Sequence, residues 1–289
     1  MIKNLTIIGV GLIGGSLAMS LRKAGAVENI VGCGRGKENL ELGVKLGVID
    51  SYNQDPGEAV RDADVVFLAV PLGAMEPTIE AIKHTLKPGA VITDGGSAKG
   101  VVVDACKQAA PELLPRFVPG HPIAGTENSG VAAAIDNLYY NRRIILTPLE
   151  ENDSEAVDLV RDMWLACNAT VNEMNVEHHD QVLAATSHLP HMLAFGLVDM
   201  LARMDEHDEI FRYAAGGFRD FTRIASSNPV MWRDICMGNK DALSVLLSDF
   251  AKEMQMLSER IAAGDAHNLL EIFERAKKSR DDFIDGVNQ

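Results

Sequence analysis

The most constraining feature of the chain lies at its start. The apolar run 5–10 (LTIIGV) leads directly into Gly9, Gly11 and Gly14, with Gly15 following. Glycines at GxGxxG spacing between a strand pattern and a helix pattern form the turn that a dinucleotide pyrophosphate requires. The first permits the tight turn, the second leaves the backbone open to the phosphates, and the third lets the helix pack closely on the strand. Residues 13–24 continue with Leu17, Ala18 and Leu21 at helical spacing. Free N–H groups at the start of that helix face the phosphate charge. Gly9, Gly11, Leu12, Ile13 and Gly14 are the expected cradle. A glycine-rich turn without a ligand is the alternative, and the strand–turn–helix context favours dinucleotide binding.

The rest of the first half alternates in the same way. Residues 29–33 (NIVGC), 64–70 (DVVFLAV), 90–94 (AVITD), 116–120 and 142–147 (RRIILT) carry strand patterns. Residues 37–47, 74–86 and 97–109 carry helical ones. Strand runs separated by helical runs build βαβ units and a mainly parallel sheet. The pattern changes at about 165–175. Residues 176–202 read as a long helical region interrupted or bent at Pro190. Residues 241–262 and 266–284 read as amphipathic helices, the first with Leu243, Leu246, Leu247, Phe250, Met254, Leu257 and Ile261 at three- and four-residue spacing. The expected architecture is a doubly wound α/β Rossmann domain over 1–170, followed by an all-α domain over 171–289 that pairs two copies into a homodimer.

Composition excludes several function classes. A chain of 289 residues with 47% apolar content buries a substantial core. A formal charge of −14 opposes non-specific binding to nucleic acid or to anionic membranes, while leaving room for a locally basic pocket. No apolar run approaches the ~20 residues that span a bilayer. The N-terminal run resembles a signal peptide only superficially, because glycines at motif spacing interrupt it and no small-residue cleavage site follows. Cys33, Cys106, Cys167 and Cys236 form no CxxC pair, which suits free thiols in the cytoplasm.

Loops beyond the strand C-termini line the crevice of a doubly wound sheet, so Val70 and Pro71 are expected at the cofactor. A carboxylate at the end of the second strand serves the ribose diol of NAD. That position holds Gly34, with Arg35 next, which suits the 2′-phosphate of NADP, although dual use of NAD and NADP fits as well. His121 sits in a segment framed by glycine and proline after another strand, and histidine is suited to accepting a hydroxyl proton near neutral pH. Ser97 could orient its ring. His188 and His191 share one helical face, yet hydride chemistry needs no metal, and none is expected. Arg219, Arg223 and Arg233 gather within twenty residues of an acidic chain, where a guanidinium could hold a carboxylate.

These residues also carry a family resemblance. The order GVGLIGGSLA at 9–18, TDGGSAKG at 93–100, GHPIAGTENSG at 120–130, TSHLPH at 186–191 and GGFRDFTRIASSNPVMWRDI at 216–235 resembles the prephenate/arogenate (cyclohexadienyl) dehydrogenases, the TyrA family, over nearly the full length. The resemblance implies NAD(P)-dependent oxidative decarboxylation of prephenate to 4-hydroxyphenylpyruvate in tyrosine biosynthesis, or of arogenate to tyrosine. It implies that His121 takes the hydroxyl proton with Ser97 hydrogen-bonded to it, that Arg223 binds a substrate carboxylate, and that His191 and His188 lie near the substrate. Glu127, Arg219, Asp220 and Trp232 match positions that line or gate the pocket. No fused mutase domain or regulatory extension is expected. Hydroxyacid dehydrogenases and imine reductases share the broad architecture, but the former typically place a lysine on a helix of the second domain, and none stands out near 176–202. A redox-inactive NADP-sensing dimer is the remaining alternative.

Overall fold

The computed structural model describes residues 1–126 and 128–287. Six strands form a parallel sheet: β1 (Ile2–Ile8), β2 (Val27–Cys33), β3 (Ser51–Asn53), β4 (Val65–Leu68), β5 (Val91–Asp94) and β6 (Phe117–Val118). Their order is β3-β2-β1-β4-β5-β6, the doubly wound arrangement expected from the alternating pattern. β4 and β5 are buried along their whole length, because helices cover both faces and leave no polar side. On one face pack α1 (Leu12–Lys23), α2 (Lys37–Lys45) and α6 (Ser154–Ala166), with Leu17, Leu21, Leu40 and Trp164 in the core. The other face holds α3 (Pro56–Ala59), α4 (Met75–Ile82) and α5 (Lys99–Ala109), through Ala59, Met75, Ile79 and Val102.

The strand expected at 116–120 is divided. Pro119 has no N–H to offer a ladder, and the chain leaves the large sheet there. β7 (Gly120–Pro122) then begins a second sheet with β8 (Arg143–Leu146) and β9 (Thr170–Glu173), β7 antiparallel and β9 parallel to β8. β3 and β9 escape the sequence reading because they are short, polar and partly exposed.

All-helical chain follows β9: α7 (Val176–Leu183), α8 (Leu189–Ala202), α9 (His207–Arg212), α10 (Gly216–Thr222) and α11 (Pro229–Gly238). The break expected at Pro190 falls just before it, as a π-helical turn at Ala184–His188. Pro190 cannot donate to the Thr186 carbonyl four residues back, and a wider turn absorbs the loss. The chain divides into two compact units, Met1–Lys240 and Asp241–Gln289. The second consists of α12 (Lys240–Ala262) and α13 (Ala266–Val287), joined through Gly264 in the left-handed region. Ile261, Leu270, Phe273 and Phe283 of these helices are exposed. No helix among the described residues is long and apolar enough to cross a membrane.

Candidate active site

The parallel sheet reverses its order between β1 and β4, and the glycine loop lies at that switch point. Gly9 takes φ +103°, and a Cβ there would lie 2.2 Å from the Ala69 carbonyl oxygen beyond β4. At Gly14 a Cβ would meet the Gly9 carbonyl oxygen at 2.4 Å. Around Gly11, by contrast, nothing lies within 4 Å of the Cβ position. Two glycines thus close the turn, and the third leaves an open approach to the start of α1, which no side chain caps. Those N–H groups fit a pyrophosphate. Two side chains brace the loop from behind. Asn39 donates to the Val10 carbonyl at 2.7 Å and accepts from the Val131 N–H at 3.0 Å, and the buried Tyr139 hydroxyl donates to the Ile13 carbonyl at 2.6 Å.

A second cluster is built around β7. The peptide before His121 is clamped on both sides. Lys99 Nζ donates to the Gly120 carbonyl at 2.6 Å, while Asp94 Oδ1 accepts from the Gly120 N–H at 3.0 Å. Lys99 and Asp94 pair at 2.5 Å with no solvent exposure of either side chain. His121 Nδ1 lies 2.9 Å from His179 Nε2, and His179 Nδ1 lies 2.8 Å from Asp180 Oδ1. Asp180 accepts in addition from the Lys99 and Gly100 N–H groups at the start of α5, both at 2.8 Å. Asn239 donates to the Asp180 carbonyl at 2.7 Å and lies 3.1 Å from His188 Nδ1. The His191 ring stacks on Trp232 with centroids 3.6 Å apart, and its Nδ1 lies 2.9 Å from the Ser187 carbonyl.

Burial sets the charge states. It pushes His121 well below its ordinary value, and the His179, Lys99 and His188 charges push the same way. His179 is lowered by burial, with the Asp180 hydrogen bond offsetting only part. Burial acts to raise Asp180, yet the His179 hydrogen bond and the two N–H donors outweigh it and hold the carboxyl below the usual range. His188 is pushed down to about 4, chiefly by burial. His191 is lowered by burial and further by the Arg223 guanidinium, against the opposing Ser187 carbonyl. The histidines of the cluster are therefore neutral imidazoles, with the Asp180 carboxylate hydrogen-bonded behind them. No group of three His, Cys, Asp or Glu side chains among the described residues is placed to hold a metal ion.

Residues 17–173 match the family model described as prephenate dehydrogenase, nucleotide-binding domain, and residues 175–275 match prephenate dehydrogenase, dimerization domain. The chain belongs to the prephenate dehydrogenase family. It is 38% identical over 280 residues to the prephenate dehydrogenase of Bacillus subtilis, which covers 96% of this chain and 75% of the relative. It is 36% identical to the cyclohexadienyl dehydrogenase of Zymomonas mobilis, over 96% of this chain and 95% of the relative. The crystal structure of prephenate dehydrogenase from A. aeolicus, in complex with hydroxyphenyl propionate and NAD+, superposes with a TM-score of 0.91 at 38% identity, over 98% of this chain and 99% of that one. As a member of the prephenate dehydrogenase family, the chain is an oxidoreductase that uses a nicotinamide cofactor.

Most residues expected at the site fall into the two clusters. Gly9, Gly11, Leu12, Ile13 and Gly14 form the loop, and Val70 and Pro71 follow β4 beside it, where a Cβ on Gly9 would approach the Val70 nitrogen. Arg35 is exposed just past β2, with its carbonyl accepting from Gln54 Nε2 at 2.9 Å. His121, His188, His191 and Trp232 gather around the second cluster. Ser97 departs from expectation. The ring nitrogen of His121 meets His179, and the Ser97 hydroxyl makes no hydrogen bond among the described residues. Its backbone bears electrostatically on the His188 ring, whose Nε2 is buried without a hydrogen bond among the described residues. Arg223 opens an exposed turn of 3-10 helix, Arg223–Ser226, within electrostatic reach of His191. Arg219 and Asp220 are exposed on α10, and their side chains make no hydrogen bond or ion pair among the described residues. Glu127 lies outside the described residues.

Sequence reading missed the supporting groups Asn39, Tyr139, Asp180 and Asn239, and gave no role to Lys99, Asp94 or His179. His179 and Asp180 stand together near the start of a helix, in EHHDQ, and that local signal could have marked them.

Proposed function

We propose that this member of the prephenate dehydrogenase family oxidises and decarboxylates prephenate to 4-hydroxyphenylpyruvate, with arogenate, which carries the same ring and hydroxyl, as a second substrate. The supporting observation is a buried, neutral His121 whose Nδ1 is committed to His179. A neutral imidazole can accept the ring hydroxyl proton, and removing that proton promotes hydride loss from the carbinol carbon. Loss of the ring carboxylate as CO₂ then leaves an aromatic product. The nicotinamide, when bound, supplies the hydride acceptor. In this reading Gly9, Gly11, Leu12, Ile13 and Gly14 hold the pyrophosphate, with Val70 and Pro71 beside the nicotinamide half. Arg223 fixes a substrate carboxylate through its planar fork. His191, His188 and Trp232 form an aromatic wall, and the Ser97 hydroxyl serves the bound ligands rather than the His121 ring. Glu127, Arg219 and Asp220 border the pocket.

The cofactor reading is NADP in preference to NAD. Its support is Gly34, which places no carboxylate beside a 2′-phosphate, and the exposed Arg35 next to it. We assign residues up to about 170 to cofactor binding and the helical remainder to substrate binding and homodimer formation, supported by the match to the dimerization domain and the exposed apolar side chains of α12 and α13. Four free cysteines suit a cytoplasmic enzyme. Initial rates at 340 nm with prephenate or arogenate, each with NAD⁺ or NADP⁺, test the reading. Turnover of prephenate, fastest with NADP⁺, is expected, and no turnover in any mixture by folded protein overturns it.

A further inference from the structure

We propose that His179 and Asp180 form a relay behind His121 that fixes its tautomer and leaves the Nε2 lone pair as the proton acceptor, which makes both of them positioning residues. The proposal rests on the reading of His121 as the base.

The proton arrangement follows from one end of the chain of contacts. Asp180 receives hydrogen bonds from two backbone N–H groups, Lys99 to Oδ1 and Gly100 to Oδ2. Backbone N–H groups can only donate, and two of them favour the ionised carboxylate, which acts as an acceptor throughout. His179 Nδ1, 2.8 Å from Oδ1, must therefore carry its proton. Neutral His179 then has its lone pair on Nε2. That nitrogen faces His121 Nδ1 at 2.9 Å, so His121 must donate from Nδ1. A neutral imidazole with Nδ1–H has its lone pair on Nε2. The reverse arrangement would set two lone pairs against each other across the 2.9 Å contact and place Nε2–H of His121 where a base is needed.

The surroundings hold this direction. Lys99 and Asp94 face the pair from α5 and β5, but they are matched to each other and to the Gly120 peptide. His188 faces it from the π-helical turn, and Asn239 ties that ring and the Asp180 carbonyl to α11. Asp180 thus supplies the only carboxylate hydrogen-bonded to the relay among the described residues. When His121 takes up a proton, its Nδ1–H remains bonded to His179, whose own Nδ1–H is held by the fixed carboxylate. The stabilised imidazolium costs no rearrangement.

The test compares the full-length protein with His179→Phe and His179→Gln. Glutamine can present its amide oxygen to His121 while its N–H reaches toward Asp180, whereas phenylalanine keeps the volume and removes both bonds. His179→Phe is expected to lose about 100-fold in kcat with prephenate, with KM moving less than about threefold. Glutamine should restore about tenfold of the loss. Ring ¹⁵N shifts of His121 should report a neutral Nδ1–H tautomer in the parent protein and a shift toward Nε2–H in His179→Phe. Cofactor binding followed by protein fluorescence shows that each variant is folded. A kcat for His179→Phe within about threefold of the parent overturns the proposal. So does an equal loss in the phenylalanine and glutamine variants with an unchanged tautomer, which would assign His179 to packing. The tautomer measurement needs no substrate. If the parent turns over no cyclohexadienol, the functional reading fails while the relay is still decided.

Discussion

Replacing Lys99 with methionine tests how far the active site depends on one buried ion pair. Lys99 and Asp94 are both fully buried and meet at 2.5 Å. Methionine keeps most of the volume and removes the ammonium, which leaves Asp94 charged in the core. Stranding a buried charge in this way costs about 3–5 kcal/mol. Asp94 keeps the Gly96 and Gly120 N–H groups as donors at 2.7 and 3.0 Å, which argues for the lower end of that range. The Gly120 carbonyl also loses its Lys99 partner. The expected loss is therefore about 3 kcal/mol. Urea unfolding followed by Trp164 fluorescence measures it. Adding Asp94→Asn removes the stranded charge, so the double variant should lose less than the sum of the two single losses. The same clamp sets the peptide before His121, and a displaced base costs rate, so kcat in Lys99→Met should fall about tenfold or more. A loss below about 1 kcal/mol, or strict additivity of the two substitutions, would refute the reasoning.

Two further substitutions probe the ligand ends of the site. Gly34→Asp combined with Arg35→Ala should lower kcat/KM for NADP⁺ and raise it for NAD⁺, shifting their ratio by about tenfold or more, because a carboxylate repels the 2′-phosphate and accepts from a ribose diol; an unchanged ratio in initial-rate assays removes Arg35 from the cofactor site. Arg223→Ala should raise the prephenate KM by about tenfold or more with a smaller change in kcat, and equal KM values would end its assignment to the carboxylate.

The glycine loop was legible because its requirements are local. A Cβ at Gly9 would lie 2.2 Å from a backbone oxygen, so only glycine serves there, whatever surrounds the loop. The strands of the large sheet were legible for a related reason: burial on both faces writes itself as unbroken apolar runs such as VVFL. β9 was not, since an exposed edge strand reading TVNE has no apolar signature. Ser97 shows the limit at the site. Family position places it near His121, but hydrogen-bond partners are chosen by packing across 58 positions of sequence, and the ring faces His179 instead. Lys99 shows the same limit from the other side. The segment GSAKG assigns it no role, and only the fold reveals that it points inward to Asp94 and the Gly120 carbonyl.

The buried histidines couple the chemistry of the site to acid stability. His121, His179, His188 and His191 are all lowered from the ordinary value near 6.5. Below that pH the unfolded chain takes up protons that the native cluster refuses, so unfolding is favoured as pH falls. The native state has its full stability above 6.5 and loses it progressively on acidification. For His188, with a native value of about 4, the loss amounts to about 2 kcal/mol by pH 5 from this ring alone. Asp180 is shifted in the same direction but acts in a lower window. Its carboxyl is held below 3.8, so its contribution is intact down to about pH 4 and adds to the acid loss only below that. Urea midpoints measured from pH 7.5 to 5 should fall steadily, and a midpoint that is flat or rises across that interval would contradict burial of the neutral rings. The acid sensitivity and the base share one cause. A solvent-exposed His121 would not weaken the fold in acid, but it would be half-protonated near pH 6.5, whereas burial beside His179 keeps its lone pair available to lower pH at the expense of acid stability.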